Sequence, residues 1–205
     1  MGFFRGKYKY MYGMIHKGSR YAVIKIFGEA AWSKSLALSG LSEEHFISAA
    51  HYDDIMTYSL IEAISIECKI TINEVLKAAG RHWIEYGMKA GYGSIHALTG
   101  RNLIEFIENL DRMHESLKRT LPKAVLPTFQ LISAEPDRIE VIYRSERDGF
   151  DTFVCGVLEG VTEYFNVQMD IDYKVTGTGT HFTLKRVENS ISLQEMPLNT
   201  LKVAV

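Results

Sequence analysis

The apolar residues of this chain change period at Pro127. Before it they recur every three or four positions; beyond it they alternate. A chain patterned this way folds as a helical N-terminal lobe followed by a lobe built on a sheet, an α+β arrangement. Tyr21, Ile24 and Phe27 predict a helix from His16 to Phe27 that Gly28 ends. Ala30 to Leu38 predicts a second short helix anchored by Trp32, with a break at Gly40 and a new helical start at Ser42-Glu43-Glu44. Asp53-Asp54 opens a helix from Ile55 to Cys68, with Leu60, Ile61, Ile64 and Cys68 inward. Thr71-Ile72-Asn73-Glu74 matches a capping box and opens one helix carrying Val75, Leu76, Ala79, Trp83 and Tyr86. Gly91 to Gly93 reads as a turn, followed by a short helix around Ile95.

Beyond Pro127, Thr128 to Ile132 and Arg138 to Arg144 predict strands joined by a turn at Glu135-Pro136-Asp137. Asp151 is expected to cap a helix carrying Val154, Val157, Leu158, Val161 and Phe165. Val167 to Val175 alternates strictly, and a Gly-rich turn at Thr176 to Thr180 leads to a last strand near Phe182 to Val187. The C-terminal lobe is therefore expected to run β-β-α-β-β.

Two features of the stretch Leu103 to Arg147 point to a ligand. Leu103, Phe106, Ile107, Leu110 and Leu117 form one apolar stripe of a helix, which Pro122 helps to close, and His114 falls on that stripe. An imidazole aimed into an apolar interior needs a partner for its nitrogens. Further on, Ile139, Val141, Tyr143, Ser145 and Arg147 alternate, so an extended chain puts all five on one face. That face begins apolar and ends in a phenol, a hydroxyl and a guanidinium. Together the two features describe a ligand with a metal that wants an axial nitrogen, a broad apolar body and acidic groups at its edge. Haem has these properties. His114 would bind the iron, and Tyr143, Ser145 and Arg147 would hold the propionates.

At these residues the chain resembles the haem nitric oxide/oxygen-binding (H-NOX) domains, including the sensor domain of soluble guanylate cyclase. The resemblance rests on His114 within NLDRMHESL, on LPKAVLPTF after it, and on Tyr143-Arg144-Ser145-Glu146-Arg147. Met11-Tyr12-Gly13, Phe27 to Trp32, and Ala90 to Gly93 also fit, and the likeness runs from about Met11 to Val187. It implies an H-NOX-like fold over residues 11–188, with haem b (iron protoporphyrin IX) between a helical lobe and a lobe of antiparallel sheet and helix. Residues 1–10 are then an N-terminal extension and 189–205 a C-terminal tail. By the same resemblance Pro127 presses on the haem and Trp83 occupies a distal-pocket position, as an apolar wall or as an indole donor. Aligning Gly149 to Gly156 on Gly156 puts Phe153 where oxygen-binding members carry a tyrosine. Phe has no donor. The expectation is a ferrous haem that binds NO and CO, excludes O2, and regulates a partner such as a histidine kinase or a cyclic-nucleotide signalling enzyme.

Composition narrows the rest. Net charge is −2, with 23 Lys+Arg against 25 Asp+Glu, which gives nucleic-acid binding no electrostatic footprint. Two cysteines without a CxxC pair argue against a disulfide framework and a structural zinc site. No apolar run is long enough for a bilayer, and the basic-aromatic start lacks the apolar core of a signal peptide, so a cytoplasmic protein is expected. His16, His45, His51, His82, His96 and His181 lack metal-ligand spacing and read as surface residues. Asp53-Asp54 and Glu43-Glu44 read as helix starts rather than catalytic dyads. No catalytic constellation is found, so the chain is read as a sensor, standalone or excised, and not as an enzyme. The alternative is a non-haem binding module that uses the same pocket for a lipid or another tetrapyrrole.

Overall fold

The computed structural model describes residues 10–43, 46–91 and 100–187. The expectations for the N-terminal extension up to residue 9, the tail, the helix around Ile95, and for Glu44, His45 and His96 lie outside them.

The N-terminal lobe opens with a two-stranded antiparallel sheet, β1 (Tyr10–Tyr12) against β2 (His51–Asp53). Sequence periodicity missed both strands, because three residues are too few to alternate. Helix α1 (Gly13–Phe27) ends at Gly28, whose φ of 86 only glycine adopts freely. Helix α2 (Glu29–Ser39) buries Trp32, which is 1% exposed, and stops at Gly40. The Trp32 indole donates to Glu43 (2.5 Å), and Arg20 Nε donates to the same carboxylate oxygen (2.9 Å). Glu43 thus closes a polar network at the expected helical start, where it takes 3-10 backbone and its carbonyl also accepts from the Phe46 amide (3.0 Å). Helix α3 (Asp54–Cys68) is capped by Asp53, which accepts from the Ile55 amide (3.0 Å). The capping box at Thr71 is complete and opens α4 (Ile72–Arg81). The single helix expected there divides at His82, which takes φ −90 and ψ 1, and α5 (Trp83–Lys89) follows. The His82 amide still reaches Ala78 O and the Tyr86 amide reaches His82 O. Neither Gly nor Pro marks the break, so the apolar period ran through it.

The helix α6 (Leu103–Thr120), expected among the helices before Pro127, instead shares its core with the sheet of the C-terminal lobe, which therefore runs α-β-β-α-β-β. It starts with the Asn102 side chain accepting from the Glu105 amide (2.9 Å). It stops one residue before the position preceding Pro122, where helical backbone is disfavoured. Strands β3 (Thr128–Glu135), β4 (Arg138–Arg144), β5 (Met169–Thr176) and β6 (Gly179–Arg186) form an antiparallel sheet in the order β3-β4-β6-β5. β3 runs past the expected Ile132 because a bulge between Leu131 and Ser133 absorbs one residue. The inner face carries Ile139, Val141, Phe182 and Leu184, all at most 1% exposed. Val154, Leu158 and Val161 of α7 (Asp151–Tyr164) belong to the same core. Asp151 does not cap α7 as expected. It is the helix's first residue, Phe150 holds the cap position without a side-chain bond, and the Asp151 carboxylate accepts from the Thr180 hydroxyl instead.

Glycines let the lobes meet where α4 crosses α7. A Cβ added to Gly80 would sit 2.0 Å from Phe153 O, and one on Gly156 would sit 2.1 Å from Lys77 O. Lys77–Glu159 (2.8 Å) and Arg81–Glu163 flank this crossing. The contact places Phe153 against the cores of both lobes.

His16 departs from its surface reading: it is fully buried on α1. Its Nε2 lies 2.8 Å from Thr57 Oγ1, and its ring packs on Phe46 and Tyr52. Burial lowers its pKa from 6.5 to about 4. Between those values the unfolded chain takes up a proton that the native state refuses. Stability therefore falls as pH drops through this window, for this group by on the order of 3 kcal/mol. His114 and His82, also lowered by burial, add the same sign. Urea midpoints at about pH 7.5 and about pH 5 should differ less in His16→Phe than in the parent. Equal losses would show that another group titrates.

Candidate functional site

His114 lies one turn after the buried Leu110 and is itself half-buried. Its Nδ1 is 3.0 Å from the Pro127 carbonyl oxygen. A carbonyl only accepts, so Nδ1 carries the proton and donates, and Nε2 keeps its lone pair. Burial pushes the pKa down, opposed in part by the bond to Pro127, so the ring is neutral at neutral pH. This is a metal ligand's state, with the second nitrogen fixed by an outer partner. Asp111, three residues before His114, accepts the Phe129 amide (2.6 Å), which pins the segment carrying Pro127 against α6. The Phe129 ring lies 5.7 Å from the His114 ring and 5.4 Å from Tyr143.

The face of five alternating residues is not continuous. β4 ends at Arg144, so Tyr143 is on the strand while Ser145 and Arg147 are beyond it. Tyr143 is buried, and burial pushes its phenol up to about 12 against an opposing hydrogen bond with Ser145. The Ser145 hydroxyl accepts the Arg147 amide (3.0 Å), a local bond that bends the chain out of the extended form. Arg147 consequently reaches the N-terminal lobe. Its Nε donates to Asp54 Oδ2 (3.4 Å), Nη1 to Val125 O (2.8 Å) and Nη2 to Tyr10 O (2.8 Å). Each terminal nitrogen keeps a second N–H, which suits a ligand carboxylate. The Arg147 and Asp54 side chains are 9% and 8% exposed.

Asp54 is the residue that sequence reasoning missed. The available signal was a pair of aspartates at one helix start where a single cap suffices; Asp53 caps, and Asp54 is free to turn inward. Its Oδ1 is buried with no partner among the described residues.

Trp83 and Phe153 pack together, with ring centroids 6.0 Å apart. Thr152 is turned away, its hydroxyl 3.0 Å from Tyr173 OH. Phe129 and Phe153 both pack against the core that contains Tyr143, which brings the two groups of residues to one region. A separate open groove of about 630 Å³ lies between α1 and α5, lined by Lys17, Arg20, Tyr21, Glu85 and Lys89 among others. None of the sequence-predicted site residues lines it.

A model of the haem-NO-binding family matches residues 12–173. The chain is 31% identical to soluble guanylate cyclase gcy-32 of Caenorhabditis elegans over 170 residues, covering 82% of this chain and 25% of the relative. It is 24% identical to soluble guanylate cyclase 89Db of Drosophila melanogaster over 155 residues, covering 76% of this chain and 23% of that one. The chain thus spans about a quarter of the length of these relatives. Among solved structures it resembles the unliganded Fe(II) H-NOX protein from K. algicida, with TM-score 0.73, 24% identity, and coverage of 87% of this chain and 98% of that chain. It also resembles an oxygen-binding H-NOX domain related to soluble guanylate cyclases, with TM-score 0.71, 22% identity, and coverage of 88% and 96%. Both likenesses show an α+β fold of this kind, helical lobe against sheet-bearing lobe.

The buried pair makes a stability prediction. Asp54→Ala leaves the Arg147 guanidinium without its carboxylate and should cost about 3 kcal/mol in urea unfolding. Asp54→Ala combined with Arg147→Met should cost less than the single change, because no orphaned charge remains. A single-mutant cost below about 1 kcal/mol would mean that the pair does not hold the lobes.

Proposed function

The chain belongs to the haem-NO-binding family, and on that footing we propose that it binds haem b between its lobes through His114 and senses nitric oxide. The observation that carries this reading is the His114–Pro127 hydrogen bond, which leaves a neutral imidazole with its Nε2 lone pair available. When bound, haem would supply an iron centre able to take a diatomic gas. His114 would offer it Nε2 as a ligand, and Pro127 fixes the imidazole that bears that nitrogen. Tyr143, Ser145 and the remaining N–H groups of Arg147 hold the acidic edge by charge-assisted and neutral hydrogen bonds.

Gas preference follows from donors. Bound O2 carries partial negative charge and needs a hydrogen-bond donor; NO and CO depend on one far less. Phe153 offers none, and the Thr152 hydroxyl is engaged with Tyr173. Trp83 packs its ring on Phe153 and serves as an apolar wall, which supports binding of NO and CO and exclusion of O2.

The output is a partner protein, a cyclic-nucleotide signalling enzyme or a histidine kinase. Kinship with guanylate cyclases supports the former. A path for the signal runs along this chain's own bonds. Movement of His114 acts on Pro127, two residues from Val125, whose carbonyl holds Arg147, and Arg147 holds Asp54 of the other lobe. The gas must bind the two lobe arrangements with different affinity for this path to carry anything. The second reading, a module for a lipid or another tetrapyrrole, predicts a colourless protein that refuses haemin.

His114→Gly should lose stable haem, and added imidazole should restore it, read from the Soret band. Unchanged haem content and an unchanged ferrous spectrum would remove His114 as the ligand. Among Tyr143→Phe, Ser145→Ala and Arg147→Ala, the last should lose the most haem, because it removes a charge as well as hydrogen bonds.

Reduced protein freed of reductant and exposed to air should show no stable oxy spectrum, while Phe153→Tyr should move it towards O2 binding. A stable oxy complex in the parent would show that Trp83 or another donor reaches the ligand.

A further inference from the structure

We propose that Gly18 is the seat of Trp83, and that this contact determines how much room the gas side of the pocket has. The inference rests on the haem reading above and adds a residue that has no chemistry of its own.

Helix α1 passes α5 with no side chain between them at Gly18. A Cβ added there would lie 2.6 Å from Cζ3 and 2.8 Å from Cε3 of Trp83, and 3.4 Å from Cδ1 of Tyr86. The benzo edge of the indole therefore lies on the backbone of α1, beside Tyr86 at 5.6 Å between centroids. Phe153 of α7 stands 6.0 Å from the same indole. A rigid ring held between a bare helix backbone and a phenyl group has its position set by what stands behind it.

The short helix α5 is also fastened to α1 from outside. Glu85 accepts from Lys25 of α1 and from Lys89 (3.1 Å), and Lys89 donates to Tyr21 OH of α1 (2.8 Å). These bonds keep α5 from backing away. A methyl group on Gly18 cannot share space with the indole, and with α5 clamped the ring has to move away from α1, towards Phe153. Gly18 is thus a specificity-determining position that acts through Trp83.

The test compares haem-loaded parent and Gly18→Ala by CO rebinding after flash photolysis. Rebinding in Gly18→Ala should be roughly tenfold slower. On a Trp83→Leu background the ring that Gly18→Ala displaces is gone, so Gly18→Ala should slow rebinding no further than Trp83→Leu alone does. Adding Glu85→Gln to Gly18→Ala, which loosens the clamp, should recover part of the lost rate. A readout independent of haem is available, since the chain has two tryptophans. In the haem-free protein, Gly18→Ala should shift the Trp83 indole N–H resonance and leave that of Trp32 in place. Parent-like rebinding with an unmoved Trp83 resonance overturns the proposal. If Gly18→Ala fails to fold, the same change is made on Trp83→Leu, where it should fold and leave rebinding unaltered; slowed rebinding there also overturns it. Failure of the haem reading itself shows earlier and separately, as a parent that takes up no haem.

Discussion

The hydrogen bond from His114 Nδ1 to the Pro127 carbonyl is the contact on which the rest of the site depends. It selects one tautomer, leaves Nε2 with its lone pair, and opposes part of the lowering of the ring's pKa by burial. Asp111 supports it by anchoring the Phe129 amide, which keeps the segment after α6 folded back on that helix. Asp111 and His114 of one helix, with the chain around Pro127, thereby hold a half-buried histidine in one orientation and one tautomer, as the proposed ligand role requires.

Two attachments of different character hold the lobes around it. Where α4 crosses α7, backbone meets backbone at Gly80 and Gly156, and there is no side chain to give way. At the other attachment, Arg147 and Asp54 meet as a buried ion pair, with Val125 and Tyr10 carbonyls completing the guanidinium's bonds. A buried pair contributes little beyond offsetting its own desolvation, yet losing one partner is costly. The first contact therefore fixes where the lobes touch. The second makes their closeness depend on one arginine, the same residue that the reading assigns to the ligand's acidic edge.

Much of this was legible in the sequence, and the exceptions share a cause. Long periodic segments announced themselves: the buried α6 stripe from Leu103 to Leu110, the capping box at Thr71 and the strands β4 to β6 stand, with β5 starting at Met169 rather than Val167 and Val175 exposed. What failed was decided by single local bonds or by distant partners. The Ser145 hydroxyl on the Arg147 amide ended a face that alternation had extended by two residues. The Thr180 hydroxyl drew Asp151 away from a capping role. Asp54 is the helix start it was expected to be, but its pairing with Arg147 escaped notice, and His16 read as a surface residue, because Arg147 and Thr57 lie far along the chain. Those partners exist only once the lobes and helices pack.

The distribution of donors then follows from the fold. Tyr143 lies at the end of β4, and Ser145 and Arg147 follow where the strand gives way to a bend, with the Ser145 hydroxyl on the Arg147 amide and the guanidinium carried over to Asp54. On α7 the helix turn decides the opposite outcome. Thr152 is rotated onto Tyr173 of the sheet, and its successor Phe153 is presented to Trp83. A shift of one residue along that helix would exchange a phenyl group for a hydroxyl in the same place. The register of α7 is held by the close approach of Gly156 to Lys77 O and of Gly160 to Arg81 O, so it cannot slip to make that exchange. Apolar character on the Trp83 side is therefore a consequence of how tightly two helices cross, and polar character at the other edge is a consequence of where a strand ends.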